Sequence, residues 1–278
     1  MNTPRFFYTK KNSSLFALSI VVAGLMTALS LAGLFFPASL YPTVDLRNSS
    51  IPTDVVNLVI GLPILLLAIY LARRGMLVGL LFWPGMLLFV AYHAIAFAAG
   101  VPFTWQFFLY VLLAVLSIYT LVRLLASRDA SAIRQRLKGK VHERVSGGTL
   151  IGLGLLFAGL VVQIMTDPSA APSQVATGVA DLTIIPLLLA GGILLWRRHA
   201  WGYVAGAGLL FMMSMLFVGL LVFFILQPFV AGVSFPLDDF LAIAGMSVFC
   251  FVPFGLFLHG IRKADSHSTA SPVEHLPS

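Results

Sequence analysis

The stretch that decides the fold is residues 200–226, AWGYVAGAGLLFMMSMLFVGLLVFFIL, which carries no charged side chain. A helix that crosses the roughly 30 Å hydrocarbon core of a bilayer needs about 20 apolar residues. Seven further apolar runs occur along the chain, so the sequence predicts eight membrane-spanning helices. Their predicted bounds are 15–36, 55–72, 76–99, 104–125, 148–166, 178–196, 200–226 and 240–261.

The composition also indicates a polytopic membrane protein. Of the 278 residues, 59% are hydrophobic and 10% are charged, whereas soluble domains carry about 25% charged residues. The single cysteine, Cys250, allows no intramolecular disulfide. The formal charge of +7 comes from short loops between the apolar runs, so we expect a lipid bilayer and no nucleic acid as partner.

Basic residues gather on one side of the predicted bundle. When the loops are assigned alternately, 16 of the 17 lysines and arginines fall on one side, and Arg47 alone falls on the other. The positive-inside rule predicts that both termini are cytoplasmic, and the short external loops favour a plasma membrane. Acidic residues lean outward, in or beside the external loops, at Asp45, Asp54, Asp167, Asp238 and Asp239.

The fold class predicted here is an all-α membrane bundle built as two parallel four-helix repeats. Each predicted copy has an even number of spans, so the copies run in the same direction, as in some transporters. Pro63 and Pro186 fall one step out of register with the other matches. The pairs separated by 124 residues are Thr53 with Thr177, Val56-Asn57-Leu58 with Ala180-Asp181-Leu182, and Arg73-Arg74 with Arg197-Arg198.

The predicted organisation has five parts. They are a cytoplasmic N-terminal segment (1–14), a first repeat (15–126), a basic cytoplasmic linker (127–147), a second repeat (148–263) and a disordered cytoplasmic tail (264–278). In the linker, Ile133, Leu137, Val141 and Val145 recur every fourth residue, which predicts an amphipathic helix on the inner leaflet. Two interpretations are open: the basic residues only enforce the topology, or they also bind anionic lipids. The candidate lipid contacts are Arg134, Arg136, Lys138, Lys140 and Arg144.

Five polar residues in the spans are predicted to share one layer in the outer half of the membrane. Counted from the cytoplasmic helix ends, they lie about 22–25 Å up. Three interpretations are open: cheap placement near the interface, hydrogen bonds that fix helix packing, and the lining of a cavity open to the outside. These candidate ligand-binding residues are Asp181, Asn57, His93, Gln106 and Gln163.

No common catalytic motif and no metal-ligand spacing occurs, so we expect no catalytic residues, metal or cofactor. His93 and His259 lie at depths too different to hold one haem. Three classes of function follow: a carrier or channel for a small solute or ion, a non-catalytic module (sensor, assembly factor or lipid-binding protein) and, with least support, a membrane-embedded enzyme. Glycines spaced four apart favour packing within the chain, with homodimerisation as the alternative.

Overall fold

The computed structural model describes residues 10–269, in which only helices and short connections occur. Eight of these helices are long and apolar enough to cross a membrane, which confirms the predicted bundle. The last helix continues to Thr269, into the segment predicted to be disordered. Residues 1–9 of the predicted N-terminal segment and residues 270–278 of the predicted tail lie outside the described residues.

The spans are connected by short turns and by two short extra helices. The first extra helix follows span one, and the second lies between spans four and five. The helices are α1 (Lys10–Phe35), α2 (Pro37–Leu40), α3 (Val44–Val56), a π-helical segment (Asn57–Gly61), α4 (Leu62–Arg73), α5 (Leu77–Gly100), α6 (Trp105–Ala126), α7 (Ala130–Leu137), α8 (Glu143–Thr166), α9 (Pro172–Trp196), α10 (Ala200–Ala231) and α11 (Leu237–Thr269).

The second span is longer than the sequence predicted and has three parts, α3, the π-helical segment and α4. It begins at Val44, where the Thr43 side chain accepts a hydrogen bond from the backbone N–H of Leu46 and caps the helix. The predicted start at residue 55 missed this first part because it is rich in polar residues. As a result Asp54, predicted to lie in or beside an external loop, is buried inside the span with 1% of its surface exposed.

The helices α5 and α10 form the centre of the bundle, and α5 is the most buried span. They cross in backbone contact, because a Cβ atom added to Gly85 would lie 2.5 Å from the carbonyl oxygen of Gly208. So close an approach requires glycine at position 85, whereas a Cβ atom on Gly208 would come no nearer than 3.4 Å to α5. Gly85 and Gly208 are separated by 123 residues.

The α4–α5 and α9–α10 turns have the same backbone form. Gly75 and Arg198, also 123 residues apart, both adopt the left-handed conformation, with φ of 75° and 55°. In each turn the next residue donates its N–H to a carbonyl five residues back. Gly79 and Gly202 then bring the following helix against the backbone of the preceding one.

The buried positions of the second and sixth spans can be aligned in one order with one change of offset, from 124 to 123, and this alignment leaves the predicted match of Arg73-Arg74 with Arg197-Arg198 one residue out of register. The change falls at the π-helical segment, because a π-bulge adds one residue to a helix. It accounts for the register step between Pro63 and Pro186. From Gly61 onward the offset is 123, which matches Gly61, Leu65, Ala68, Ile69 and Ala72 with Ile184, Leu188, Gly191, Gly192 and Leu195. Up to Asn57 the offset is 124, which matches Pro52, Asp54, Val56 and Asn57 with Ala176, Gly178, Ala180 and Asp181.

The linker helix α7 packs against the bundle. Ile133 and Leu137 on α7 are buried, as is Val141 beyond it, and the helix lies against α10 and α11. Val145, the fourth member of the predicted apolar face, is exposed in α8. The apolar face predicted to rest on lipid is therefore largely covered by protein, because α10 and α11 offer it a nearby apolar surface.

Candidate functional site between the first four spans

A buried carboxyl and two tyrosines form a hydrogen-bonded chain between the first four spans. The Tyr41 hydroxyl donates to Asp54 Oδ2 at 2.7 Å, and the Tyr41 and Tyr110 hydroxyl oxygens lie 3.1 Å apart. Because Tyr41 gives its proton to the carboxyl, Tyr110 is the donor in the second bond. All three side chains are at most 2% exposed.

The path of α1 past this chain depends on Gly33. A Cβ atom there would collide with Asp54 Oδ2 and would lie 2.6 Å from the Tyr41 hydroxyl oxygen. The absence of a side chain thus lets the α1 backbone close over the carboxyl. Phe97 stacks on Tyr110, with ring centroids 4.9 Å apart, and holds that ring from the α5 side.

A narrow cavity lies beside this chain, between α1, α5, α6 and the π-helical segment. It has room for about one water molecule. Its polar lining comes from Ser30, Asn57, His93 and Tyr110, one residue from each of the first four spans. The remainder of the lining is apolar, from Met26, Leu29, Val90, Ala94, Phe97 and Leu113.

Two acceptor oxygens at this site have no donor within ordinary hydrogen-bond distance among the described residues, although the Ser30 side chain interacts with the Asp54 carboxyl. They are Asn57 Oδ1 and Asp54 Oδ1, which lie one helical turn apart in residues that are 3% and 1% exposed. The Nδ1 atom of His93 lies 3.0 Å from the carbonyl oxygen of Phe89. Because a carbonyl oxygen only accepts hydrogen bonds, Nδ1 is the donor. Leaving a buried acceptor without a donor costs about 1–3 kcal/mol.

A second buried carboxyl lies on the other side of α5. Asp181 on α9 is 4% exposed, and its Oδ1 accepts a hydrogen bond of 2.9 Å from the Tyr92 hydroxyl. Tyr92 and His93 are neighbours on α5. His93 lines the cavity, and Tyr92 is hydrogen-bonded to Asp181. In the described part of the chain, no lysine, arginine or histidine lies within salt-bridge distance of Asp54 or Asp181.

The predicted polar layer is therefore divided in the structure. Asn57 and His93 line one cavity, and Asp181 lies close to it across α5. Gln106 is buried near the N-terminal end of α6, where it accepts a hydrogen bond from the Thr104 hydroxyl and donates one of 3.4 Å to the backbone carbonyl of Ser39. Gln163 lies on the exposed surface of α8.

Asp54, Tyr41, Tyr110 and Ser30 are site residues that sequence reasoning missed. The available signal was the spacing of Asp54, three residues before Asn57, which places both on one helix face. The tyrosines gave no signal, because tyrosine is common wherever a span meets the membrane surface.

The basic linker residues surround a separate cluster at the other end of the bundle. Lys138, Lys140 and Arg144 are exposed, and Arg134 and Arg136 are partly buried. The buried Glu143 carboxylate accepts hydrogen bonds from the Tyr203 hydroxyl at 2.9 Å and the Gly139 N–H at 3.3 Å, and lies 3.8 Å from Arg198. Contact of the basic residues with anionic lipids stays a prediction.

Metal chemistry and similarity to known proteins give no further guide to the site. Among residues 13–264, whose side chains the structure describes, no group of three or more histidine, cysteine or acidic side chains could hold a metal ion. Comparisons of the chain with protein-family models, curated proteins and solved structures found no match. The geometry of the polar cluster is thus the basis for assigning a function.

Proposed function

We propose that this multi-pass membrane protein is a carrier for a small solute or ion, in which Asp54 and Asp181 bind a proton or a small cation. The observation that carries the proposal is that both carboxyls are buried in apolar spans with no cationic partner among the described residues. Ionisable residues in such positions mark ion and proton pathways in membrane proteins.

The energies favour an exchangeable positive charge at each carboxyl. An acidic side chain costs about 2.5–3.5 kcal/mol at the centre of a membrane helix. A hydrogen bond to a charged group returns about 1.5–3 kcal/mol, and each carboxyl receives one from a tyrosine. The hydrogen bond therefore offsets much of the cost of burying the charged carboxylate, so its charged and neutralised forms are closer in free energy than burial alone would make them.

The carrier proposal includes an internal duplication, which we propose on three observations. In this duplication, spans one to four correspond to spans five to eight, and the axis that relates them passes between Gly85 and Gly208. The matching turns, the matching buried positions and the central glycine contact are the supporting observations. In transporters built from repeats, the site lies where the repeats meet, and Tyr92 and Asp181 join α5 to α9 there.

The two halves differ at the positions where a ligand would bind. Asn57 matches Asp181, and Asp54 matches Gly178, so each half has one carboxyl. The two carboxyls differ in depth by about one helical turn. By the positive-inside rule both lie in the outer half of the membrane. The cavity admits one water-sized ligand, so passage of a larger solute requires that the helices move apart.

A non-catalytic membrane module is the second candidate, and the packing at the centre favours it. The Gly85–Gly208 contact closes the middle of the bundle with backbone against backbone. A packed centre of this kind suits a protein that assembles with partners and transports nothing. The two candidates differ in whether the buried carboxyls move charge across the membrane.

Charge movement in proteoliposomes tests the proposal. Currents would be recorded on a solid-supported membrane after jumps in pH, NaCl, KCl and mixtures of amino acids, sugars and organic acids. We expect at least one jump to give a current that Asp54→Asn and Asp181→Asn abolish, while the exposed control Asp167→Asn retains it. Folded wild-type protein that gives no current with any jump would overturn the carrier proposal.

A further inference from the structure

The lining of the narrow cavity indicates what it binds. We propose that the cavity holds one water molecule, which joins His93 to Asp54 in a route for protons. The inference rests on the proposed function, because it assigns a proton, in place of a metal cation, to the Asp54 carboxyl.

The surroundings of the cavity and of the carboxyl suit a neutral ligand in the one and a proton on the other. The described residues that line the cavity include no carboxylate, and six of the ten are apolar, so a metal ion there would lack a counter-charge. Asp54 lies outside this lining, with its Oδ2 held by Tyr41 and packed against the α1 backbone at Gly33. A proton needs no further space at this carboxyl, whereas a metal ion does.

Two oxygens of the cavity can accept the hydrogens of one water molecule. Asn57 Oδ1 is buried and has no donor within hydrogen-bond distance in the described structure. The Tyr110 oxygen keeps a lone pair when its own hydrogen is donated to Tyr41. A buried water needs about two to four polar partners, and here it also removes the cost of leaving the Asn57 acceptor unsatisfied.

His93 is the third partner of this water and the source of the proton. Its Nδ1 donates to the Phe89 carbonyl, so Nε2 is the ring nitrogen that can meet a ligand in the cavity. In the protonated ring Nε2 carries a hydrogen and donates it to the water oxygen. The other titratable side chains near the ring are Tyr110, Tyr92 and Asp181, since residues 15–35 of α1 and 204–231 of α10 contain none.

The hydrogen bonds run in the direction of proton transfer to Asp54. His93 Nε2 releases a proton to the water, which passes one of its own protons to the Tyr110 oxygen. The Tyr110 proton moves to Tyr41, and the Tyr41 proton moves to Asp54 Oδ2. The water and both tyrosines end neutral, while His93 loses one proton and Asp54 gains one. Ser30 offers a second, shorter link, because it lines the cavity and its side chain interacts with the Asp54 carboxyl.

The π-helical segment places the amide in this cavity. Asn57 is its first residue, and its Oδ1 lies 3.8 Å from the position of a Cβ atom on Gly61. If the inner-half offset of 123 continued upward, Leu58 would occupy the position that matches Asp181. The extra residue of the bulge therefore brings an acceptor for water where a leucine would otherwise lie, and π-bulges are frequent at functional sites.

The rate of proton uptake by Asp54 tests the inference in the full-length protein in lipid membranes. After a rapid fall in pH, time-resolved infrared spectra should show the carbonyl band of the protonated acid, which is assigned by its loss in Asp54→Asn. Asn57→Leu fills the water site, and Ser30→Ala combined with Tyr110→Phe removes both links to the carboxyl. Each should slow the appearance of the band about tenfold or more.

The matched controls are Asn48→Leu on α3 and Tyr119→Phe on α6, which lie outside the cavity lining and should keep the wild-type rate. Wild-type rates in both Asn57→Leu and the double variant would overturn the inference. Absence of the Asp54 band in the wild-type protein would also overturn it.

A structure of the wild-type protein at a resolution that shows ordered water covers the case in which the variants fail to fold. Density within hydrogen-bond distance of Asn57 Oδ1 supports the water site, and an empty cavity overturns it. If Asp54 takes up its proton by this route and no jump gives a current, the carrier proposal fails and the proton route remains. If salt or solute jumps give currents and Asp54 shows no carbonyl band, this inference fails and the carrier proposal stands.

Discussion

Replacement of Tyr92 by phenylalanine removes the side-chain hydrogen bond that joins α5 to the buried carboxyl of Asp181. The hydroxyl donates to Oδ1 at 2.9 Å, and the two residues are 8% and 4% exposed. Water therefore has little access to replace the lost bond. The substitution changes no other atom, so the expected effect is that of a single buried hydrogen bond.

The expected loss for Tyr92→Phe is about 1.5–3 kcal/mol, the usual contribution of a hydrogen bond to a charged group. In a chain of this length, about 2 kcal/mol corresponds to a fall in melting temperature of roughly 4–8 °C. The assay is unfolding in mild detergent, reported by exposure of Cys250. The matched control is Tyr119→Phe, since Tyr119 is 47% exposed on α6 and its hydroxyl accepts a hydrogen bond from Arg123 that solvent can replace.

A double-mutant cycle separates this bond from general packing. In an Asp181→Leu background, Tyr92→Phe should cost much less than it does in the wild type, because the acceptor is already absent. The reasoning is refuted if Tyr92→Phe matches the Tyr119→Phe control in the wild type. It is equally refuted if the cost of Tyr92→Phe is unchanged in the Asp181→Leu background.

Three further predictions use the same unfolding assay. Gly85→Ala should destabilise the protein by about 1–3 kcal/mol, since its Cβ would lie 2.5 Å from the backbone of α10. The control Gly159→Ala, which adds its Cβ in open space, should not destabilise it. Equal effects of the two substitutions would contradict the close crossing of α5 and α10. Gly75→Arg should cost about 1–2 kcal/mol in the left-handed conformation, and Arg198→Gly should be neutral or stabilising, because the ion pair it removes is half exposed. Glu143→Ala should cost about 1–3 kcal/mol and Glu143→Gln less, because the amide retains an acceptor; equal losses would show that charge alone matters.

The eight spans could be predicted from the sequence because apolar length is a strong signal. The start of the second span could not, since its first turns, VDLRNSSIPTD, read as a polar loop. Tertiary contacts decide this case: Asp54 is buried because Tyr41 supplies a donor and Gly33 lets α1 pass over it. A hydropathy calculation along the sequence takes no account of Tyr41 or Gly33 as partners.

The candidate site was predicted in part for a similar reason. Asn57, His93 and Asp181 were found because polar residues in apolar runs stand out, and two of them line one cavity. Depth along a helix is readable from sequence, but the face that a residue presents is not, and Gln163 at the same predicted depth lies on the exposed surface. Two repeats with a shared axis stay a proposal, and the one-residue step at Pro63 was the only sequence trace of the π-bulge.

Access to the closed cavity from water is the measurement that tests carrier function most directly. Ser30 lines the cavity and is 3% exposed, so a cysteine there, in a Cys250→Ala background, is hidden in the present conformation. Carrier function predicts that Ser30→Cys reacts with a membrane-impermeant thiol reagent in sealed vesicles, at a rate that the transported ion or solute changes. Reaction only after unfolding, while Ser169→Cys in an exposed loop reacts at once, would contradict it.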